Sequence, residues 1–88
     1  MKLARVVGNV VATAHHPAYD GHKLMMIEGL EPDGSVVGKS TLAVDLVQAG
    51  PGDRVLVLTE GNGIRQLLGR DAGPIRSAIV GIVDHVET

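Results

Sequence analysis

Four side chains that could bind a metal ion lie close together in the first quarter of this 88-residue chain. They are His15, His16, Asp20 and His22, and imidazole and carboxylate groups are side chains that zinc accepts as ligands. The surrounding stretch contains proline and glycine and has no hydrophobic period, so no strand or helix holds these groups in a fixed geometry. The pattern favours a solvated loop. We therefore predict no metal site and no other cofactor.

A second short stretch ends as a phosphate-binding loop ends, in Gly38, Lys39 and Ser40. A Walker A loop places four residues between its first glycine and the Gly-Lys pair, so that backbone N–H groups surround the phosphates. Gly34 precedes Gly38 with only three residues between them, and Asp33 stands where the first glycine should be. A carboxylate there would repel a phosphate. We expect Gly34 and Gly38 to bracket a reversal between two strands.

The remaining candidates for catalysis are equally incomplete. None of the three serines stands in a nucleophile elbow, and none has a histidine close in sequence. Gly61 and Gly63 begin like a dinucleotide fingerprint, but Gln66 occupies the place of the third glycine. The sequence therefore predicts that the protein is not an enzyme.

The composition indicates a small aliphatic core and argues against several partners. Hydrophobic residues make up 44% of the chain, yet Tyr19 is its one aromatic residue, and small branched side chains suit a narrow barrel. A balance of 8 basic against 10 acidic residues, without an aromatic stacking surface, argues against nucleic acid. No stretch approaches the roughly 20 apolar residues that span a membrane. We expect a cytoplasmic protein, and the absence of cysteine excludes disulfides.

The hydrophobic periods predict an all-β fold. Residues 3–14 alternate with period two, and further extended, apolar runs are separated by turns rich in glycine, proline and aspartate. One short helix is expected at 64–68, ended by Gly69. We predict one domain over residues 1–88, a five-stranded OB-like barrel. The predicted strands cover 3–14, 23–31, 39–47, 54–60 and 77–87.

The last predicted strand is apolar on both faces. Ile79, Gly81 and Val83 form one alternate set, and Ala78, Val80 and Ile82 form the other. A single small sheet normally exposes one face to water, so the outer face of this strand needs a cover. In so short a chain, we expect that cover to be another subunit.

Three stretches in order resemble the bacterial microcompartment vertex proteins, the pentamer family of carboxysomes and of ethanolamine- and propanediol-utilising shells. The stretches are MKLARVVGNVVAT, AVDLVQAGPGDRVLV and IVGIVDHVE. The resemblance implies an OB-like barrel that assembles as a homopentamer and caps the five-fold vertices of a shell. It also implies hexameric and pseudohexameric shell proteins as partners. The first strand and the KLMMIE stretch look more like the catabolic, ethanolamine-type members, so the compartment would be a metabolosome.

The same resemblance implies positions for the functional residues. Gly61, Asn62 and Gly63 match a family loop near the five-fold axis, although both serines of that loop are replaced here. Arg76 stands where the family usually has an aspartate, which could alter a salt bridge between subunits. The implied subunit-interface residues are Arg65, Arg76, Ile79, Ile82 and Asp84. The alternative function is a small ligand- or metal-binding regulatory β-barrel that uses the histidine loop.

Overall fold

The computed structural model describes residues 1–11, 17–19, 21–59, 61–69 and 75–84. Within them the chain forms five strands, one α-helix and one short 3₁₀ turn. In chain order these elements are β1 (Lys2–Val10), the 3₁₀ turn (Pro17–Tyr19), β2 (Lys23–Leu30), β3 (Val36–Asp45), β4 (Arg54–Leu58), α1 (Gly61–Leu68) and β5 (Ala78–Ile82).

The five strands close into one barrel in the order β1-β2-β3-β5-β4, with β4 pairing back to β1. Every pair of neighbours is antiparallel except β3 and β5, which run parallel. The parallel contact is short, consisting of Val44 opposite Ala78 and Asp45 opposite Ile79. The predicted all-β, five-stranded barrel with one short helix is confirmed.

The interior of the barrel is filled by alternate residues of its strands, as the period of two requires. All of these side chains are aliphatic or thioether groups, and no polar or charged residue is buried in the described part of the chain. This interior therefore depends on apolar burial alone. Its buried members are Ala4, Val6, Met25, Ile27, Ala43, Ala49, Val55, Val57 and Ile79.

A second, smaller core lies outside the barrel, beneath α1. Ile64 of the helix packs with Ile75 and Ala78, and all three are buried. Ala78 and Ile79 are consecutive strand residues, so they point to opposite sides of β5, and both are fully buried. The prediction that another subunit covers the outer face of this strand is therefore wrong at Ala78. The chain's own helix covers it.

The turn between β3 and β4 is attached to β1. Gly50 N donates to Asp53 Oδ2 at 2.8 Å, and Asp53 N donates to Gly50 O at 3.0 Å, which closes the turn. Gly52 N donates to Val6 O at 2.8 Å, and Val6 N donates to Asp53 O at 2.9 Å. Gly52 has φ +89°, a conformation that favours glycine. These bonds set the register of β4 against β1.

The structure corrects several predicted boundaries. β1 and β5 end earlier than the alternation suggested, and β3 begins three residues before the predicted 39. Gly38 therefore lies inside β3, and the reversal between β2 and β3 uses residues 31–35 instead. Ile27 pairs with Thr41 while Gly29 pairs with Val37, so β3 contains extra residues between these two pairs and forms a bulge there. Gly38, with φ +73°, lies in this bulge. A glycine within a strand can mark such a bulge as well as a turn.

The one α-helix in the described residues has eight residues, and no described helix is long and apolar enough to cross a membrane.

Candidate assembly surfaces

The N-terminal end of α1 carries the residues that the family resemblance assigns to a central opening. Gly61 and Asn62 are the first helical residues, so α1 begins three residues before the predicted helix at 64–68. Gly63 is half-buried against β4, and a Cβ built on it would lie 2.9 Å from Leu58 Cδ2. The missing side chain at Gly63 therefore has a packing role, since it lets the helix approach the barrel.

The C-terminal end of α1 is formed as predicted. Gly69 has φ +80° and its N–H donates to the carbonyl of Arg65 at 2.7 Å. A residue in this left-handed conformation stops a helix, and glycine adopts it without steric cost. Arg65 is exposed on the helix, as are its neighbours Gln66 and Leu67. Ile64 is buried against the barrel and these residues are exposed, so α1 has one buried face and one exposed face.

Two of the interface candidates lie on β5 in opposite environments. Ile79 has no exposed surface and belongs to the barrel interior. The buried Ile79 side chain cannot contact a neighbouring subunit, so the structure excludes Ile79 from the predicted interface residues. Ile82 keeps 47% of its surface exposed at the end of the same strand. The alternation in the sequence already puts these two isoleucines on opposite faces of the strand, although both were expected at the interface.

The segment after β5 is tied to β4 through Arg54. Val83 N donates to Arg54 O at 2.8 Å, and Arg54 Nη2 donates to the backbone carbonyl of Asp84 at 2.8 Å. Asp84 itself is exposed, and so is Arg76, which lies just before β5. The structure therefore presents Arg65, Arg76 and Asp84 at the surface, where a neighbouring molecule can reach them.

An open cleft of about 540 Å³ lies beside the first half of β3, and the sequence did not predict it. One wall is the first half of β3, including Val37, Lys39 and Thr41, and buried Ile27 and Val57 line the interior. The cleft opens because β3 and β5 pair only at their two shared positions. Gly38, within the VVGKSTL run, was the sequence feature that could have indicated this cleft, because a glycine inside a strand marks an irregularity.

Most of the histidine loop lies outside the residues that the structure describes. His15, His16 and Asp20 lie outside the described residues, and His22 alone of the four lies within them. No group of three or more candidate ligands occurs among the described residues. The expectation that the chain has no metal site stays a prediction.

Comparison with known proteins agrees with this fold. The family model of the ethanolamine utilisation protein EutN/carboxysome family matches residues 1–84. The shell vertex protein EutN of Escherichia coli (strain K12) is 38% identical, over 98% of this chain and 90% of its own length. The solved GrpN pentameric microcompartment shell protein from Rhodospirillum rubrum has TM-score 0.84 and 38% identity, covering 100% of this chain and 99% of that one. Nostoc sp. PCC 7120 CcmL has TM-score 0.85 and 35% identity, covering 99% and 93%. The chain therefore belongs to the EutN/carboxysome family.

Proposed function

We propose that this protein is a structural shell component that forms homopentamers and caps the five-fold vertices of a bacterial microcompartment. The observation that carries this proposal is the similarity along the whole length of the chain to a solved pentameric shell protein, GrpN. We regard residues 1–88 as one vertex domain.

The physical reason for such a component is geometric. A layer of six-sided units is flat, and a closed polyhedral shell requires five-sided units at its corners. A ring of five identical chains meets this requirement by shape and symmetry, without any reacting group. The proposed partners are accordingly hexameric and pseudohexameric shell proteins, and the proposed location is the shell of a cytoplasmic compartment. The protein acts as a building unit and not as an enzyme.

The relatives support a catabolic compartment. The E. coli relative is a microcompartment shell vertex protein named EutN, and its identity to this chain, 38%, slightly exceeds the 34% of the Nostoc carboxysome shell vertex protein CcmL. We propose that the compartment is a metabolosome.

Within the proposed ring, Gly61, Asn62 and Gly63 lie closest to the five-fold axis. The support is the family resemblance of this stretch, which forms the first turn of α1. Arg65, Arg76, Ile82 and Asp84 are the proposed contacts between subunits or with a neighbouring shell unit. All four are exposed in the single chain, which a contact residue must be.

Native mass spectrometry or light scattering tests the ring. The expected mass is five times the 9.2 kDa chain, or about 46 kDa. A monomer or dimer over the whole concentration range would contradict the proposal and favour the ligand- or metal-binding barrel. Co-expression with hexameric shell proteins tests the vertex role: electron microscopy should show closed polyhedra with this chain and open or elongated assemblies without it.

A further inference from the structure

The chain contains two asparagines, Asn9 and Asn62, and of these only Asn62 is followed by glycine. Asparagine is a chemically labile residue, because the backbone nitrogen of the next residue can attack its side-chain amide. Glycine in that next position favours the attack, since it has no Cβ beside the nitrogen and adopts backbone angles that other residues avoid. The pair Asn62-Gly63 is therefore the place in this sequence where such a reaction is expected.

The start of α1 leaves the attacking nitrogen available. The first amides of an α-helix have no acceptor within the helix, and Gly63 is the third residue of α1. Closing a five-membered ring also requires Asn62 to leave its helical conformation. Because α1 has only eight residues, its end turn opens at little cost in free energy. The buried side chain that fixes the helix belongs to Ile64, which follows this pair.

Asn9 has a contrasting environment. It lies in β1 opposite Met25, and the next residue, Val10, lies opposite Leu24. Pairing with β2 holds the backbone extended there, and the branched side chain of Val10 stands beside the nitrogen that would attack. Asn9 is exposed, so its protection comes from the strand and not from burial.

We propose that Asn62 is a site of spontaneous deamidation, which converts a neutral side chain at the start of α1 into a carboxylate. The nitrogen of Gly63 bonds to Cγ of Asn62, the Cγ–Nδ2 bond breaks, and ammonia leaves with the proton of that N–H. Water then opens the cyclic imide. Opening at Cγ gives aspartate, opening at the backbone carbonyl gives isoaspartate, and either carboxyl releases its proton to solvent at neutral pH.

The two products differ in their effect on the helix. An aspartate in the first turn is favourable, because a negative charge near a helix N-terminus interacts well with the helix dipole. Isoaspartate adds a carbon to the main chain and interrupts that turn. Each event also adds one negative charge to a chain whose net charge is −2. In the proposed ring, where this stretch lies near the axis, the carboxylates of the copies would surround the central opening and repel anions.

Peptide mapping of the unmodified protein tests the proposal. The protein is incubated at mildly alkaline pH, samples are digested with trypsin below neutral pH, and the fragments are analysed by mass spectrometry. We expect fragment 55–65, which carries Asn62, to accumulate aspartate and isoaspartate, while fragment 6–23, which carries Asn9, keeps its amide. An Asn62 that stays intact throughout the incubation overturns the proposal, and so does equal conversion of Asn9.

Asn62→Gln is the matched variant. It retains a neutral side-chain amide, but its attack would have to close a six-membered ring, which forms far more slowly. We expect complete loss of the acidic products from fragment 55–65 in this variant. Acidic products that persist there would place the reaction at another residue and contradict the assignment to Asn62.

The chemistry does not depend on the ring, so the two proposals fail in different ways. Ion-exchange chromatography of the intact 46 kDa species should show a ladder of added charges as successive copies convert. Converted fragment 55–65 from a protein that never forms pentamers ends the proposed function and leaves the deamidation site. A pentamer in which Asn62 stays intact ends only the deamidation site.

Discussion

Gly63 of α1 approaches Leu58 of β4 so closely that the two residues exclude a side chain between them. A Cβ on residue 63 would lie 2.9 Å from Leu58 Cδ2 and 3.4 Å from Leu58 Cδ1. Contacts below 3.0 Å are too short for carbon atoms, so the leucine would have to move. The attachment of the helix, and with it the position of the stretch proposed to lie near the ring axis, therefore depends on a glycine here.

We expect Gly63→Ala to be destabilising by at most about 2 kcal/mol. Overpacking against Leu58 costs about 1 to 3 kcal/mol, and the better helix propensity of alanine offsets about 1 kcal/mol of it. The matched experiment repeats the substitution in a Leu58→Ala background, where the crowding is absent. There, Gly63→Ala should become stabilising by up to about 1 kcal/mol in denaturant unfolding. The same sign in both backgrounds would contradict the packing role.

Ile79 and Ile82 should respond in opposite ways to substitution. Ile79→Ala removes buried barrel packing and should lower the free energy of unfolding by about 2 to 5 kcal/mol, measured by urea denaturation at a fixed subunit concentration. Ile82→Glu should leave the protomer folded but dissociate the pentamer, because Ile82 is exposed in the single chain and is a proposed contact. Leu67→Glu, on the exposed face of α1, is the control for the added charge. An Ile82→Glu protein that remains pentameric removes Ile82 from the contact.

The turn between β2 and β3 should depend on pH through Asp33. Ser35 Oγ and Ser35 N donate to Asp33 Oδ1 at 2.6 and 2.9 Å, and these two hydrogen bonds hold the pKa of Asp33 below its usual value. Because the pKa is lower in the folded state, ionised Asp33 stabilises the turn fully above the unfolded pKa of about 3.9. This contribution is lost as the pH falls through the folded pKa.

A carboxyl NMR titration measures this effect directly. We expect Ser35→Ala to raise the pKa of Asp33 toward the usual aspartate value, because the hydroxyl bond is the largest cause of the shift. An unchanged Asp33 titration in the serine variant would show that the hydroxyl does not hold the carboxylate.

The proposed position of Asn62 near the five-fold axis can be tested by crosslinking. The chain has no cysteine, so Asn62→Cys provides one thiol per subunit. If five copies meet near the axis, mild oxidation should yield a disulfide-linked dimer, because each subunit can join only one other. Val7→Cys, on β1, is the comparison and should stay monomeric on a denaturing gel. Equal crosslinking at both positions would remove the evidence for an axial Asn62.

Local sequence patterns were sufficient to predict the five strands, the glycine that ends the helix and the class of barrel. Alternation identifies a strand because consecutive side chains point to opposite faces, as buried Val55 and exposed Leu56 do in β4. Gly69 was identifiable because few other residues adopt its left-handed conformation. The family resemblance also rested on local runs, and the comparison over residues 1–84 confirms it.

Local patterns did not predict which part of the molecule packs against the outer faces of these strands. An apolar residue requires burial, but the residue type does not specify whether the same chain or another molecule supplies the contact. The sequence by itself determined that β5 is apolar on two sides. Only the tertiary structure decided that α1 covers Ala78 while Val36 to Leu42 of β3 stay exposed. The physical reason is that burial depends on how strands far apart in sequence pair, and β3 meets β5 at two positions alone.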